Sequence, residues 1–261
     1  MKSASSRQHL KVPNGLELVF GVHALRSLLD RGEAPRELWV QQGAGTRLAA
    51  LMDEARSKGT LVKERPREVL DQLTQGGAHQ GVAAFCSPLT PEGEESLWLK
   101  LRAWQAPQPP LFLVLDGVTD VHNFGACLRS ADAAGAHGVI VAKDKAAPLN
   151  ATVRKVACGA AEVVPVYQVT NLARTLAKLK AEGVWITGTA GEAESSIYQI
   201  DFTGPVALVM GAEGKGMRRL TREACDNLAK LPMAGQVSSL NVSVATGICL
   251  FEAVRQRQLA S

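Results

Sequence analysis

The chain has 261 residues, 46% of them hydrophobic and 21% charged, with 24 Gly and 12 Pro. This is ordinary globular usage, enough for one large or two modest domains, and it excludes disorder, collagen and coiled coil. No stretch approaches the roughly 18 apolar residues of a membrane-spanning helix. The polar opening MKSASSRQHLKVP has no apolar signal core, so a cytoplasmic protein with no membrane partner is expected. Lys+Arg 29 against Asp+Glu 25 leaves a net +4, which permits a nucleic-acid partner without demanding one. The densest basic runs are KDK at 143–145, RK at 154–155 and RR at 218–219.

From about residue 15 to 86, short apolar runs alternate with amphipathic stretches: LELVF, VHALRSLLDRG, ELWV, TRLAALMDEARSKG, LVKE, PREVLDQL and VAAFC. The periodicity predicts βαβαβαβ, a small α/β sandwich. Thr46 can cap the helix that Gly59 ends, and Pro66 suits a first helical turn. Residues 87–110 hold five prolines and an acidic run, followed by a Leu/Trp pattern that fits one helix; the segment reads as an interdomain linker.

Beyond Pro110 the strands are more strongly apolar: LFLVLD, GVIVA, EVVPV, VWITG, VALVMG and LAKLP, separated by helical stretches. Runs apolar on both faces predict a parallel sheet covered by helices on each side. A last helix is expected over about 241–257, with apolar residues at helical spacing. In such sheets ligands sit at the carboxyl ends of the strands, so chemistry is sought just after VLD, ITG, VMG and KLP.

Cys86, Cys127, Cys158, Cys225 and Cys249 are scattered and odd in number, with no C-x-x-C pair. That argues against a disulfide framework or a cysteine zinc site and predicts buried reduced thiols. None of His9, His23, His79, His122 and His137 forms a ligand-spaced pair, so no metal is expected, and His122 reads as a surface or hydrogen-bonding residue. GAEGKGM at 211–217 is not a P-loop, because Gly216 follows Lys215 where Ser or Thr would ligand magnesium. G-x-G-x-x-G after a strand and G-x-S-x-G are both absent.

Three strand-end segments nonetheless carry polar residues that simple packing does not need: DGVTDVHNFGACLRSADAAG (116–135), VMGAEGKGMRRLTREACD (209–226) and LPMAGQVSSLNVSVATG (231–247). Asn123 sits at a helix start and Arg129 six residues on, so the two do not share a face in a simple way. Ser238, Ser239 and Asn241 enter an apolar helix, where capping alone is a sufficient role.

Together these segments resemble the three motifs of the SpoU (TrmH-type) family of RNA ribose 2′-O-methyltransferases, members of the knotted SPOUT group. The match carries Asn123, Gly125 and Arg129 in NFGACLR, then Gly211, Glu213, Gly214 and Gly216 in MGAEGKG, then Ser239, Leu240, Asn241 and Ser243 in SLNVSVA. Residues 1–86 resemble the ribosomal-protein-like RNA-binding domain of the bacterial enzymes that methylate a guanosine of 23S rRNA, including the turn GGAHQG at 76–81.

The resemblance implies an α/β fold with an RNA-binding domain at 1–86, a linker at 87–110 and a trefoil-knotted methyltransferase domain at 111–261. It implies S-adenosylmethionine as methyl donor, with Gly188, Met210, Gly211, Leu231, Met233, Leu240 and Val242 around it. Glycine at 188 and 211 is expected to leave room for the ligand's approach. Arg129 is implied as the central catalytic residue, either receiving the hydroxyl proton or clamping the adjacent phosphate. Asn123 would orient Arg129 or the ribose, Glu213 would orient Asn or Arg side chains, and Ser239 with Asn241 would secure cofactor and knot.

Implied partners are 23S rRNA or an assembling ribosomal particle and a second copy of the chain, packed through helices that include the last one; DNA is not implied. Arg7, Lys11 and Arg65 or Arg67 are the basic positions expected to aid RNA binding. Alternatives are a tRNA ribose as substrate, or a non-catalytic RNA-binding protein on the same fold.

Overall fold

The structure, a computed structural model, describes residues 11–44 and 46–260. Arg7 and His9 lie outside the described residues. These form two compact units, the first ending at Leu89 and the second beginning at Thr90.

The first unit follows the expected alternation: β1 (Glu17–Phe20), α1 (Val22–Asp30), β2 (Glu37–Gln41), α2 (Thr46–Ser57), β3 (Leu61–Arg65), α3 (Arg67–Leu73) and β4 (Val82–Cys86). The sheet order is β1-β4-β2-β3, with β2 and β3 parallel and β4 antiparallel to both β1 and β2. Successive side chains of a strand point to opposite faces. Val82, Ala84 and Cys86 therefore join Leu25, Leu28 and Leu29 of α1 and Leu48 and Leu51 of α2. Ala83 and Phe85 meet Leu70 and Leu73 of α3 on the other side. VAAFC is apolar throughout because helices cover both faces of this strand.

Pro66 stands at the N-cap of α3 rather than inside its first turn. In GGAHQG, the Gly81 amide donates to His79 Nδ1 (3.0 Å), which leaves Nε2 to donate to Asp71 Oδ1 (2.9 Å). Gln80 Oε1 accepts from the Val22 amide at the start of α1 (2.9 Å).

The second unit runs β5 (Glu92–Gly93), α4 (Glu94–Arg102), β6 (Leu111–Asp116), α5 (Val121–Ala133), β7 (Gly138–Ala142), α6 (Ala151–Ala157), β8 (Val166–Val169), α7 (Leu172–Ala181), β9 (Trp185–Thr189), β10 (Ser195–Ser196), β11 (Val206–Gly211), α8 (Arg219–Glu223), β12 (Asn227–Lys230) and α9 (Val242–Ala260). Among the described residues its sheet has eight parallel strands in the order β10-β12-β9-β11-β6-β7-β8-β5. On one face, Leu97 and Trp98 of α4 and Leu172, Leu176 and Leu179 of α7 bury Phe112, Val114, Ile140, Ile186, Ala207 and Val209. On the other, α5 packs on α9 and both reach the sheet. No described helix is long and apolar enough to cross a membrane.

Three expectations need correction. The segment 87–110 is not simply a linker: Glu92 and Gly93 pair in parallel with Tyr167 and Gln168, and Leu97, Trp98 and Leu101 are buried in the core. Its acidic run belongs to the first turn of α4, where Glu94 and Glu95 suit the positive end of the helix dipole. EVVPV is not a strand, since residues 160–162 form a 3-10 turn and pairing starts only at Val166, after Pro165, which has no N–H to donate. The thiols are not all buried: Cys86, Cys127 and Cys249 are, Cys225 is intermediate and Cys158 is exposed. Burial pushes Cys127 up to about 11 and Cys249 to about 12.

Candidate active site

The parallel sheet delivers the carboxyl ends of β6, β9, β11 and β12 to one edge. Gly211, at the end of β11, lies in register with Asp116 at the end of β6. Gly188 on β9 is flanked by Val209 and Leu228. The three motif segments leave from this edge, and their polar side chains meet there.

Asp120 caps α5, its carboxylate accepting from the Asn123 amide (2.8 Å), so Asn123 lies in the first turn. Glu213 is the hub: its Oε1 accepts from Asn123 Nδ2 (3.2 Å), Asn241 Nδ2 (2.7 Å) and the Val242 main-chain N–H (3.2 Å). Asn241 Nδ2 also donates to Asn123 Oδ1 (2.9 Å). Its own Oδ1 accepts from the Ser243 amide (2.9 Å) and hydroxyl (2.6 Å). Asn241 thus caps α9 with one end of its amide and joins the cluster with the other. Glu213 and Asn241 are exposed. Solvent screens these charge-assisted bonds, and their chief effect is to hold three loops in one register.

The loop that presents Glu213 closes on itself. Ala212 and Gly216 exchange backbone hydrogen bonds (3.2 and 2.8 Å), with Gly214 and Gly216 at positive φ. A Cβ on Gly211 would lie 2.3 Å from the Gly216 carbonyl carbon and 2.4 Å from the Met217 nitrogen. One on Gly188 would meet Cys225 Sγ and Met217 Cε, each at 2.7 Å. The expectation that these glycines leave room for a ligand is therefore corrected: protein atoms fill the space. Gly125 has the same character, its absent Cβ making way for Val156 and the Val153 carbonyl where α6 packs on α5.

Met210 and Val242 are buried, while Leu231, Met233 and Leu240 are half-buried on the loops between β12 and α9. Two candidates stand apart from the hub. Ser239 is exposed on the loop and joins none of these contacts. Arg129 is exposed on α5 and donates from Nη1 to Cys158 Sγ (3.6 Å), at the end of α6. His122 is exposed as expected.

Several contributors escaped the sequence reading. The Asp120 cap was signalled by an Asp three residues before Asn123, a standard N-terminal spacing. The Val242 amide, the Cys158 contact and the pairing of Asp116 with Arg218 carry no local signature, because their partners are distant along the chain.

The chain matches the model of the SpoU rRNA Methylase family over residues 110–251 and that of RNA 2′-O ribose methyltransferase substrate binding over 18–92. It is 58% identical over 246 residues to the 23S rRNA (guanosine-2′-O-)-methyltransferase RlmB of Pseudomonas putida, covering 94% of this chain and 98% of that one. To RlmB of Escherichia coli K12 it is 55% identical over 243 residues, covering 92% and 99%. Among solved structures, the SpoU methyltransferase AviRb of Streptomyces viridochromogenes, in complex with the cofactor AdoMet, superposes with a TM-score of 0.77 at 26% identity, over 94% of this chain and 92% of that one. The strand-end motifs, their convergence on Glu213 and these likenesses agree: the chain belongs to the SpoU rRNA methylase family.

Proposed function

We propose that this chain transfers a methyl group from S-adenosylmethionine to the ribose 2′-hydroxyl of a guanosine in 23S rRNA. The observation that carries the reading is the meeting of Asn123, Glu213 and Asn241 at the carboxyl edge of the sheet. The substrate follows the relatives, which are 23S rRNA guanosine-2′-O-methyltransferases by name.

The residues present suit the donor. Met210 near the end of β11, Leu231, Met233 and Leu240 on the connection from β12 to α9, and Val242 at the start of α9 offer the apolar side chains expected of a cofactor site. Gly188 and Gly211 contribute backbone alone, their side-chain space being filled. When bound, S-adenosylmethionine supplies a methyl on a sulfonium whose departure leaves a neutral thioether. The protein's work is alignment and removal of one proton. Glu213 fixes Asn123 and Asn241, and Asn123 at the mouth of α5 positions the ribose. Arg129, an exposed guanidinium, acts as donor and positive charge rather than as base, holding the adjacent phosphate while water accepts the hydroxyl proton.

In this reading the first unit holds the RNA by shape and phosphate contacts. Lys11 and Arg67 are exposed, and Arg65 lies over the Trp39 ring, 5.0 Å from its centroid. The reading includes the trefoil knot that the resemblance implies; the return of β12 to the far side of β9 after β11 supports it. It also includes a homodimer packed through α9, where Val244, Phe251 and Leu259 are 51%, 49% and 76% exposed on a helix whose other face is already buried.

Methyl-tritiated donor incubated with separated, unmethylated 23S rRNA and tRNA tests the assignment. Label in 23S rRNA is the expected result; label in tRNA alone, or in neither, contradicts it. Gly211→Ala forces the 216–217 backbone away from the strand end. It is expected to lower transfer on the order of 10²-fold, the effect of displacing a site by about 1 Å, with circular dichroism unchanged.

A further inference from the structure

Two of the densest basic runs of the sequence, KDK at 143–145 and RR at 218–219, follow β7 and open α8, and neither joins the hydrogen bonds of the Asn123–Glu213–Asn241 cluster. The fold brings them to one groove. A cavity of about 430 Å³ at the carboxyl ends of β7 and β8 is lined by Asp144, Lys145, Thr170, Asn171, Arg218 and Arg219, among others.

Each cationic side chain is set there by a specific feature. Asp116, fully buried at the end of β6, accepts from the Arg218 main-chain N–H (2.7 Å) and from its Nε, which fixes the stem of this arginine. The Arg218 side chain is 46% exposed, and Asp116 does not engage its Nη groups. Arg219 pairs with Glu223 at 2.7 Å, both side chains being largely exposed, an interaction weak enough for an incoming anion to replace. Lys145 is exposed in a bend at φ +58°, a conformation disfavoured for lysine. The groove also borders the positive end of the ten-residue helix α7, capped by Asn171. Asp144 is the single carboxylate among the lining residues.

The placement gives this groove a partner. The proposed donor residues lie at the ends of β9, β11 and β12, the groove lies at the ends of β7 and β8, and Asn123 follows β6 between them. We propose that this groove binds the phosphodiester backbone of the RNA strand flanking the target ribose, with Lys145, Arg218 and Arg219 contacting phosphates. The inference rests on the reading of the neighbouring site as an RNA ribose methyltransferase.

The test uses the full chain and unmethylated 23S rRNA in filter binding across a KCl series, with donor affinity by calorimetry and turnover by tritium transfer. The double variant Lys145→Ala/Arg219→Ala is expected to weaken RNA binding on the order of 10-fold or more. The slope of log affinity against log salt should fall by about 1.4 to 1.8, the share of two phosphate contacts. Turnover at saturating RNA and donor affinity should stay within about twofold. Arg102→Ala, which removes the same charge from an exposed pair with Glu182, should move neither quantity. Unchanged RNA affinity and salt slope in the folded double variant overturn the proposal, as does a loss confined to donor affinity. Filter binding reads the groove directly even if the wild-type chain transfers no methyl, so failure of the site reading is told apart from failure of this one.

Discussion

Arg129→Ala is expected to lower methyl transfer to 23S rRNA roughly 10²- to 10⁴-fold, the range of a positioned group that assists proton removal, with donor affinity within about twofold. The separation follows from the geometry. The proposed donor residues sit on β9, β11 and the loops flanking β12 and α9, whereas Arg129 projects from α5 and contacts Cys158 at the end of α6. Removing it leaves the Asn123–Glu213–Asn241 cluster intact, since none of those bonds involves Arg129. Calorimetric titration with S-adenosylmethionine and a tritium-transfer assay check the two halves. Near-normal turnover in the variant rules out the assigned role.

The largest effect on stability is expected from Glu162→Ala. Arg154 and Glu162 form a two-pronged ion pair, Nε to Oε1 and Nη2 to Oε2 (3.0 Å), with side chains 3% and 0% exposed. Removing the carboxylate leaves a guanidinium charge buried, which typically costs about 3–5 kcal/mol, a large share of the roughly 5–15 kcal/mol that holds a domain folded. Thermal unfolding should begin about 6–20 °C lower, at roughly 2–4 °C per kcal/mol in a chain of this size. Unchanged denaturation curves contradict this. The pair closes the turn that carries Cys158, so the variant should also loosen the seat of Arg129.

Elements are legible in the sequence where one local rule decides the outcome. Alternation in LELVF and ELWV, and doubly apolar runs such as VAAFC, LFLVLD and VALVMG, gave strands because side-chain period and burial are set by neighbours a few residues away. Local rules fail where distant residues intervene. EVVPV is apolar and β-branched, yet Arg154 draws Glu162 into the interior and the chain turns before Val166 pairs. The Pro-rich stretch after Cys86 is flanked by loops, but Leu97, Trp98 and Leu101 find a core supplied by strands much later in the chain.

The same division holds at the site. The residue types and spacing of the three motifs marked Asn123, Glu213 and Asn241, whose contacts span 28 to 118 positions. The reason for Gly211 could not be read, because the atoms that exclude its side chain belong to a loop folding back over it. Nor could the meeting of the two basic runs, which depends on a buried Asp116 reaching Arg218 across 102 positions.

The most direct check is the identity of the methylated product. Unmethylated 23S rRNA treated with the purified chain and labelled S-adenosylmethionine is digested to nucleosides and separated by chromatography with mass detection. All of the label should run as 2′-O-methylguanosine, and Arg129→Ala should deposit it roughly 10²- to 10⁴-fold more slowly. Label in a base-methylated nucleoside, or in a ribose methylated equally well by the variant, contradicts the chemistry assigned to this strand edge.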